Sequence, residues 1–155
     1  MSERSTVHDT FTIERHFDAA PGRVFKAFAD PAAKALWFAG PPETKQEDVS
    51  FDFREGGRET MVTVLDDGSR IGFYATYSDI VPDERIVYTY EMTMGGKRIS
   101  VSVATVEIRP GSSGGTDLQV TEHGVYLDGL DRPEMRRQGT EELMTALGES
   151  LSKDV

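Results

Sequence analysis

The three histidines of this sequence set the first limits on its chemistry, because histidine is the side chain that ordinarily titrates near neutral pH. His8 precedes the first patterned segment, His16 falls on the polar side of an alternating run, and His123 follows Glu122. No His-x-His or His-x-x-x-His pair occurs, so a histidine-rich zinc site is not expected and no metal is assigned. There is no cysteine, which removes thiolate ligands, disulfides and a cysteine nucleophile together. Ser112-Ser113-Gly114 lies in a loose glycine-rich loop and no Gly-x-Ser-x-Gly elbow exists, so serine hydrolysis is not expected. Gly95-Gly96-Lys97 and the glycines at 111, 114 and 115 lack the spacing of phosphate cradles, and Asp66-Asp67-Gly68 is too short for a calcium loop. These segments read more simply as turns. No catalytic residue and no cofactor is assigned.

What remains is a set of apolar side chains with polar tips. Tyr88, Tyr90, Met92 and Met94 alternate along one strand face. Methionine repacks around irregular shapes and tyrosine adds a polar tip, so such a row suits an adaptable pocket wall. An ordinary core row fits as well, and the two coincide where a core encloses a cavity. Trp37-Phe38 is either a structural plug or a pocket gate. Arg54, in Asp52-x-Arg54, is a ligand anchor or, better supported, the partner of Asp52 or Glu55. Glu122 and His123 point to opposite faces if they lie on one strand. Either offers a polar pocket group or a general base, although a hydrogen-bonded structural or surface role is favoured for His123.

The elements that must position these residues follow from periodicity. Residues 1–9 read as a polar tail and residues 10–155 as one domain. Phe11, Ile13 and Phe17 alternate with polar residues, the period of a half-buried strand. Pro21 opens a short helix whose Val24, Phe25 and Phe28 share a face, and Asp30-Pro31 closes it. Asp30 caps a second short helix from Pro31 to about Phe38, ended by Gly40-Pro41-Pro42. Strands follow near 49–53, 59–65, 70–80 and 86–94, then one that Ile99, Val101 and Val103 start, and a last one from Thr116 to about Gly124. Asp66-Asp67-Gly68-Ser69 is a strong hairpin signal among them. Asp131 and Glu134 form a capping box for a final helix. Its apolar stripe is Met135, Gly139, Leu143, Leu147 and Leu151, with Arg136 and Arg137 on the opposite face. The expected fold is α+β: a curved antiparallel sheet of about seven strands around a long C-terminal helix, with two short helices after the first strand. One helix cannot fill the concave face of so wide a sheet, and cavities of that kind are favoured ligand sites.

Composition excludes more than it assigns. The 155 residues carry 17 Lys+Arg against 27 Asp+Glu, a net charge of −10, which disfavours binding to nucleic acid or anionic membranes. No signal peptide or membrane span is visible, so a cytoplasmic location is the default expectation.

Pro21-x-x-Val24-Phe25-x-Ala27-Phe28-x-Asp30-Pro31, followed by Leu36-Trp37-Phe38-x-Gly40, resembles the opening of the START-like helix-grip superfamily, which includes birch-pollen-allergen-like proteins. Asp52-x-Arg54-x-Gly56-Gly57 and Asp67-Gly68 followed by Gly72 are similar to one branch of it. That branch is named after the C-terminal domain of the activator of 90-kDa heat-shock protein ATPase, and the resemblance spans about residues 10–152. It implies a curved sheet gripping a long helix around a largely apolar cavity, with small hydrophobic or lipid-like ligands. Polyketide cyclases among the relatives imply an enzyme as an alternative. The eukaryotic co-chaperones carry a further N-terminal domain, for which residues 1–9 leave no room. The final helix of the family usually carries a Gly-Trp pair, where this sequence has Gly139-Thr140.

The leading expectation is therefore a container for a small hydrophobic or amphipathic ligand. Its wall candidates are Trp37, Phe53, Tyr74, Tyr90, Met92, Val103, Leu143 and Leu147, and its candidate polar groups are Arg54, Glu122 and His123. A face shift of one residue would exchange Tyr74 for Phe73 or Tyr77. The alternatives are a cyclase or dehydratase using Glu122 or His123 in the same cavity, and an interaction module with a heat-shock ATPase as partner. A homodimer is compatible with the sequence.

Overall fold

Alternating Phe11, Ile13 and Phe17 turn inward from a strand, β1, that runs Thr6–Phe17. β1 thus begins inside the stretch expected as a tail, because residues 6–9 pair with residues 124–127. The computed structural model describes residues 4–39 and 43–153, so the Gly40-Pro41-Pro42 stop lies outside the described residues. Two short helices follow β1: α1 (Pro21–Ala29) and α2 (Pro31–Ala35). The Asp30 carboxylate caps α2 by accepting from the Ala33 amide at 2.9 Å, as its spacing predicts. Six strands then run as a meander: β2 (Lys45–Phe51), β3 (Arg58–Val64), β4 (Arg70–Val81), β5 (Arg85–Met94), β6 (Lys97–Pro110) and β7 (Thr116–Leu127). The chain closes with α3 (Pro133–Ser152).

All the strands join one antiparallel sheet in the order β1-β7-β6-β5-β4-β3-β2, with β1 and β2 at its edges. α3 lies close to β1 and α1, and α1 close to β6. The main core sits there, with Phe11, Ile13, Val24, Phe28, Ile108, Leu118 and Leu147 packed between helices and sheet. α3 makes no comparably close approach to β3, β4 or β5, and a cavity lies between them.

Asp52-x-Arg54-x-Gly56-Gly57 is a turn stitched onto β4. The Gly56 amide donates to the Tyr77 carbonyl at 2.8 Å, and the Tyr77 amide donates to the Gly57 carbonyl at 2.9 Å. A Cβ at Gly57 would fall 2.0 Å from the Asp52 carbonyl oxygen, so only glycine fits there.

Several features differ from the pattern read in the sequence. β2 lies at Lys45–Phe51, earlier than the expected 49–53, and a register shift between Glu47 and Ser50 leaves Val49 exposed and Phe53 beyond the strand. A bulge between Met92 and Thr93 places both Ile99 and Ser100 of β6 in buried positions, so the alternation changes face there. Ser100, Ser102 and Ala104 then turn inward, while Val101 and Val103 lie on the outer face. On β5 the alternation runs on unbroken against β4, but Met94, the last residue of the strand, is exposed. At the start of α3 the N-cap is Arg132 and no side chain caps it. Asp131 instead accepts from the Arg132 amide at 2.8 Å and pairs with Arg136. That pair turns Arg136 toward the sheet, away from the solvent face expected for it.

Candidate functional site

A cavity of about 260 Å³ lies between α3, the end of α2 and the concave face of β3, β4 and β5. Trp37, Phe53, Tyr90, Met92 and Leu143, five of the eight wall candidates, line it, and so does Glu122. Leu147 does not. It is wholly buried in the main core, one turn beyond Leu143, on the helix that packs against β1 and α1. Tyr74 and Val103 are on the outer face of the sheet, and Phe73 and Tyr77 take the inward places on β4. Arg54 lies on the surface, its Nε donating to Asp52 at 2.8 Å. His123 is on the outer face, with Nδ1 2.9 Å from the Thr10 hydroxyl.

Trp37 is fixed in place. Its indole N–H donates to the Ala27 carbonyl at 2.9 Å, and its ring meets Phe28 and Phe38 edge-on at 4.9 and 5.8 Å. The aromatic wall continues from Phe38 to Phe73 at 5.1 Å and from Phe73 to Tyr90 at 5.2 Å. Met61, Met92 and the exposed Met135 also line the cavity, and their flexible thioethers yield to a guest at little cost.

Two polar groups interrupt this wall. At one side, Lys34 Nζ donates to Glu59 Oε1 at 2.6 Å and to the Tyr77 hydroxyl at 3.3 Å. Tyr77 in turn donates to the same Glu59 oxygen at 2.6 Å, and the ammonium sits 4.5 Å from the Phe38 ring centre. Burial holds the Lys34 amine below its usual value, against the opposing pull of Glu59. Burial, reinforced by Glu59, pushes the Tyr77 phenol far above its own.

At the other side, the Tyr90 hydroxyl donates to Glu122 Oε1 at 2.6 Å. Arg136 donates to the Tyr90 oxygen at 3.3 Å and to Ser100 Oγ at 3.1 Å, while pairing with Asp131. Burial raises the Glu122 carboxyl above the usual carboxylate range, opposed by the Tyr90 hydrogen bond and by Arg136. Burial likewise raises the Tyr126 phenol, to about 12.

Sequence reasoning missed Lys34, Glu59 and Arg136, because charged residues are read as solvated by default. A signal existed for two of them. Lys34 stands three and four residues before Trp37 and Phe38, on the same helical face, and Glu59 alternates with Met61 on β3. Among the described residues, no group of three or more His, Cys, Asp or Glu side chains is placed to hold a metal ion. Nor is any helix among them long and apolar enough to cross a membrane.

A curved antiparallel sheet gripping one long helix around a lined cavity defines a protein of the START-like helix-grip class. Residues 18–153 match the family described as Activator of Hsp90 ATPase homolog 1-like protein, and the chain belongs to that family. A solved structure of a Rhizobium leguminosarum protein is 42% identical, covering 99% of this chain and 100% of that one, with a TM-score of 0.93. A protein of Rhizobium loti is 41% identical over 94% of this chain and 99% of its own, with a TM-score of 0.87. An AHSA1-like protein from Aeromonas hydrophila shares the fold at 20% identity, over 93% of this chain and 92% of that one, with a TM-score of 0.68. No curated protein matches.

Proposed function

We propose that this chain is a non-catalytic container for a compact hydrophobic or amphipathic molecule, held between α3 and the β3–β5 side of the sheet. The observation that carries this is the cavity of about 260 Å³, walled by aromatic rings and bordered by methionines, with polar atoms only at restricted points. Its volume lies just under the range of about 300–1,000 Å³ typical of drug-sized ligands, which favours a compact guest over a sterol or a long acyl chain.

Binding to the folded state alone stabilises it, by about 2.7 kcal/mol at a ligand concentration one hundred times Kd. The test is a panel of neutral bicyclic aromatics and medium-chain alcohols titrated into the protein, read by melting temperature. Trp37, the one tryptophan, supplies a second readout for the alcohols through its emission. At least one compound should raise the melting temperature in a saturable way. A flat response across the whole panel would count decisively against a container.

A further inference from the structure

The cavity wall holds polar atoms that the protein itself leaves unused. The Tyr88 hydroxyl has no hydrogen-bond partner among the described residues, and neither has the second carboxylate oxygen of Glu122. Ser102 Oγ, on the inward face of β6, is unpartnered too, but it is sealed within the sheet and does not line the cavity. Buried polar groups are ordinarily satisfied, so the two open ones on the cavity wall, at Tyr88 and Glu122, call for a guest or water to complete them.

Their placement is set by strand register. Tyr88 stands opposite Ala104, and Ala104 opposite Glu122, in one row across β5, β6 and β7. Ala104 is small and fully buried, so the two longer side chains flank a notch in the sheet surface. Their backbones are about 10 Å apart at two strand spacings. The Glu122 charge adds to burial in disfavouring ionisation of the Tyr88 phenol.

The charges lining the cavity restrict what can sit there. Lys34 is paired with Glu59, and Arg136 with Asp131. Glu122 is left with no ion-pair partner of its own among the described residues; Arg136 reaches its neighbour Tyr90 instead. An anionic guest would therefore meet an acid whose charge Arg136 offsets only in part, without a direct ion pair. A neutral hydroxyl fits both open positions, donating to the Glu122 carboxylate and accepting from the Tyr88 hydroxyl.

We infer that the cavity selects compact apolar molecules bearing a neutral hydroxyl, a phenol or an alcohol, anchored between Glu122 and Tyr88. This rests on the container proposed above. The two are separated by three probes of nearly equal shape: 2-naphthol, 2-methylnaphthalene and 2-naphthoate, each titrated calorimetrically at neutral pH.

2-Naphthol should bind about tenfold or more tightly than 2-methylnaphthalene, the size of effect given by a hydrogen bond to a charged acceptor. 2-Naphthoate should bind no better than the hydrocarbon. Tyr88→Phe should lower the 2-naphthol preference severalfold and leave 2-methylnaphthalene affinity and the melting temperature essentially unchanged, since the hydroxyl has no partner to lose. Glu122→Gln, which keeps an acceptor without its charge, should weaken the preference as well. Equal affinity for 2-naphthol and 2-methylnaphthalene overturns the hydroxyl anchor and leaves the container standing. A preference that survives both substitutions, or tightest binding of 2-naphthoate, overturns the anchor too. Binding of none of the three overturns both proposals.

Discussion

Lys34 and Glu59 show how a pair of charges is made tolerable inside an apolar wall. Removing two ions from water costs several kcal/mol each, and attraction repays this only where geometry and extra hydrogen bonds are good. Here the Glu59 oxygen accepts from both Lys34 and Tyr77 at 2.6 Å, and the Phe38 and Phe51 rings lie 4.5 and 5.0 Å from the ammonium. Lys34→Met strips the carboxylate of its counter-charge and should destabilise the fold by about 3–5 kcal/mol. Adding Glu59→Gln should return most of that loss, because a neutral amide still accepts from Tyr77. Urea denaturation of the two single variants and the double variant measures the coupling. Strictly additive effects, with no recovery in the double variant, would mean that the pair does not act as a unit.

On α3 one face carries two tasks. Thr140, Met144, Leu147 and Ser150 are buried, and of these Thr140 and Met144 also border the cavity, together with Met135, Arg136, Gly139 and Leu143. A Cβ at Gly139 would meet nothing within 4 Å, so Gly139→Ala should stabilise the helix by up to about 1 kcal/mol without touching the cavity wall opposite. Thr140→Trp would instead supply the ring that this chain lacks beside that glycine. It should fill the cavity and weaken 2-naphthol binding by about tenfold or more, at an overpacking cost of about 1–3 kcal/mol. Calorimetric titration and melting temperature together check both substitutions, and undiminished affinity in Thr140→Trp would place the guest elsewhere. The same helix shows why sequence reading reached the fold more fully than the site. Periodicity gives the existence of α3 and of most strands, because burying one face requires it; it places β2 late, near 49–53, where the strand is Lys45–Phe51 and Val49 is exposed. It does not reveal that Asp131 draws Arg136 inward, nor that the bulge at Met92 and Thr93 turns Val103 outward. Both depend on contacts between segments distant in sequence. Leu147 was legible as buried, yet burial alone does not distinguish packed core from cavity wall.

For the molecule as a whole, Glu122 links the cavity to the pH dependence of stability. A carboxyl whose folded value is raised contributes stability fully below its unfolded value, near 4.5, and loses that contribution as pH rises through the folded value. Above that window the folded protein holds a buried carboxylate that the unfolded chain would leave in water. Each unit of separation between the two values amounts to about 1.4 kcal/mol. Glu122→Gln removes this one contribution while retaining an acceptor for the Tyr90 hydroxyl. The melting temperature of the variant minus that of the parent should therefore climb as pH rises from 4 to 7, while other carboxylates, common to both proteins, largely cancel. A conversion of about 2–4 °C per kcal/mol applies to a chain of this size. A difference that stays constant or falls across this range would show that burial does not penalise the Glu122 charge. If the difference climbs, the fold keeps an acid in its sheet at a loss of stability near neutral pH. Losses of that kind are the usual mark of a side chain retained for what it binds.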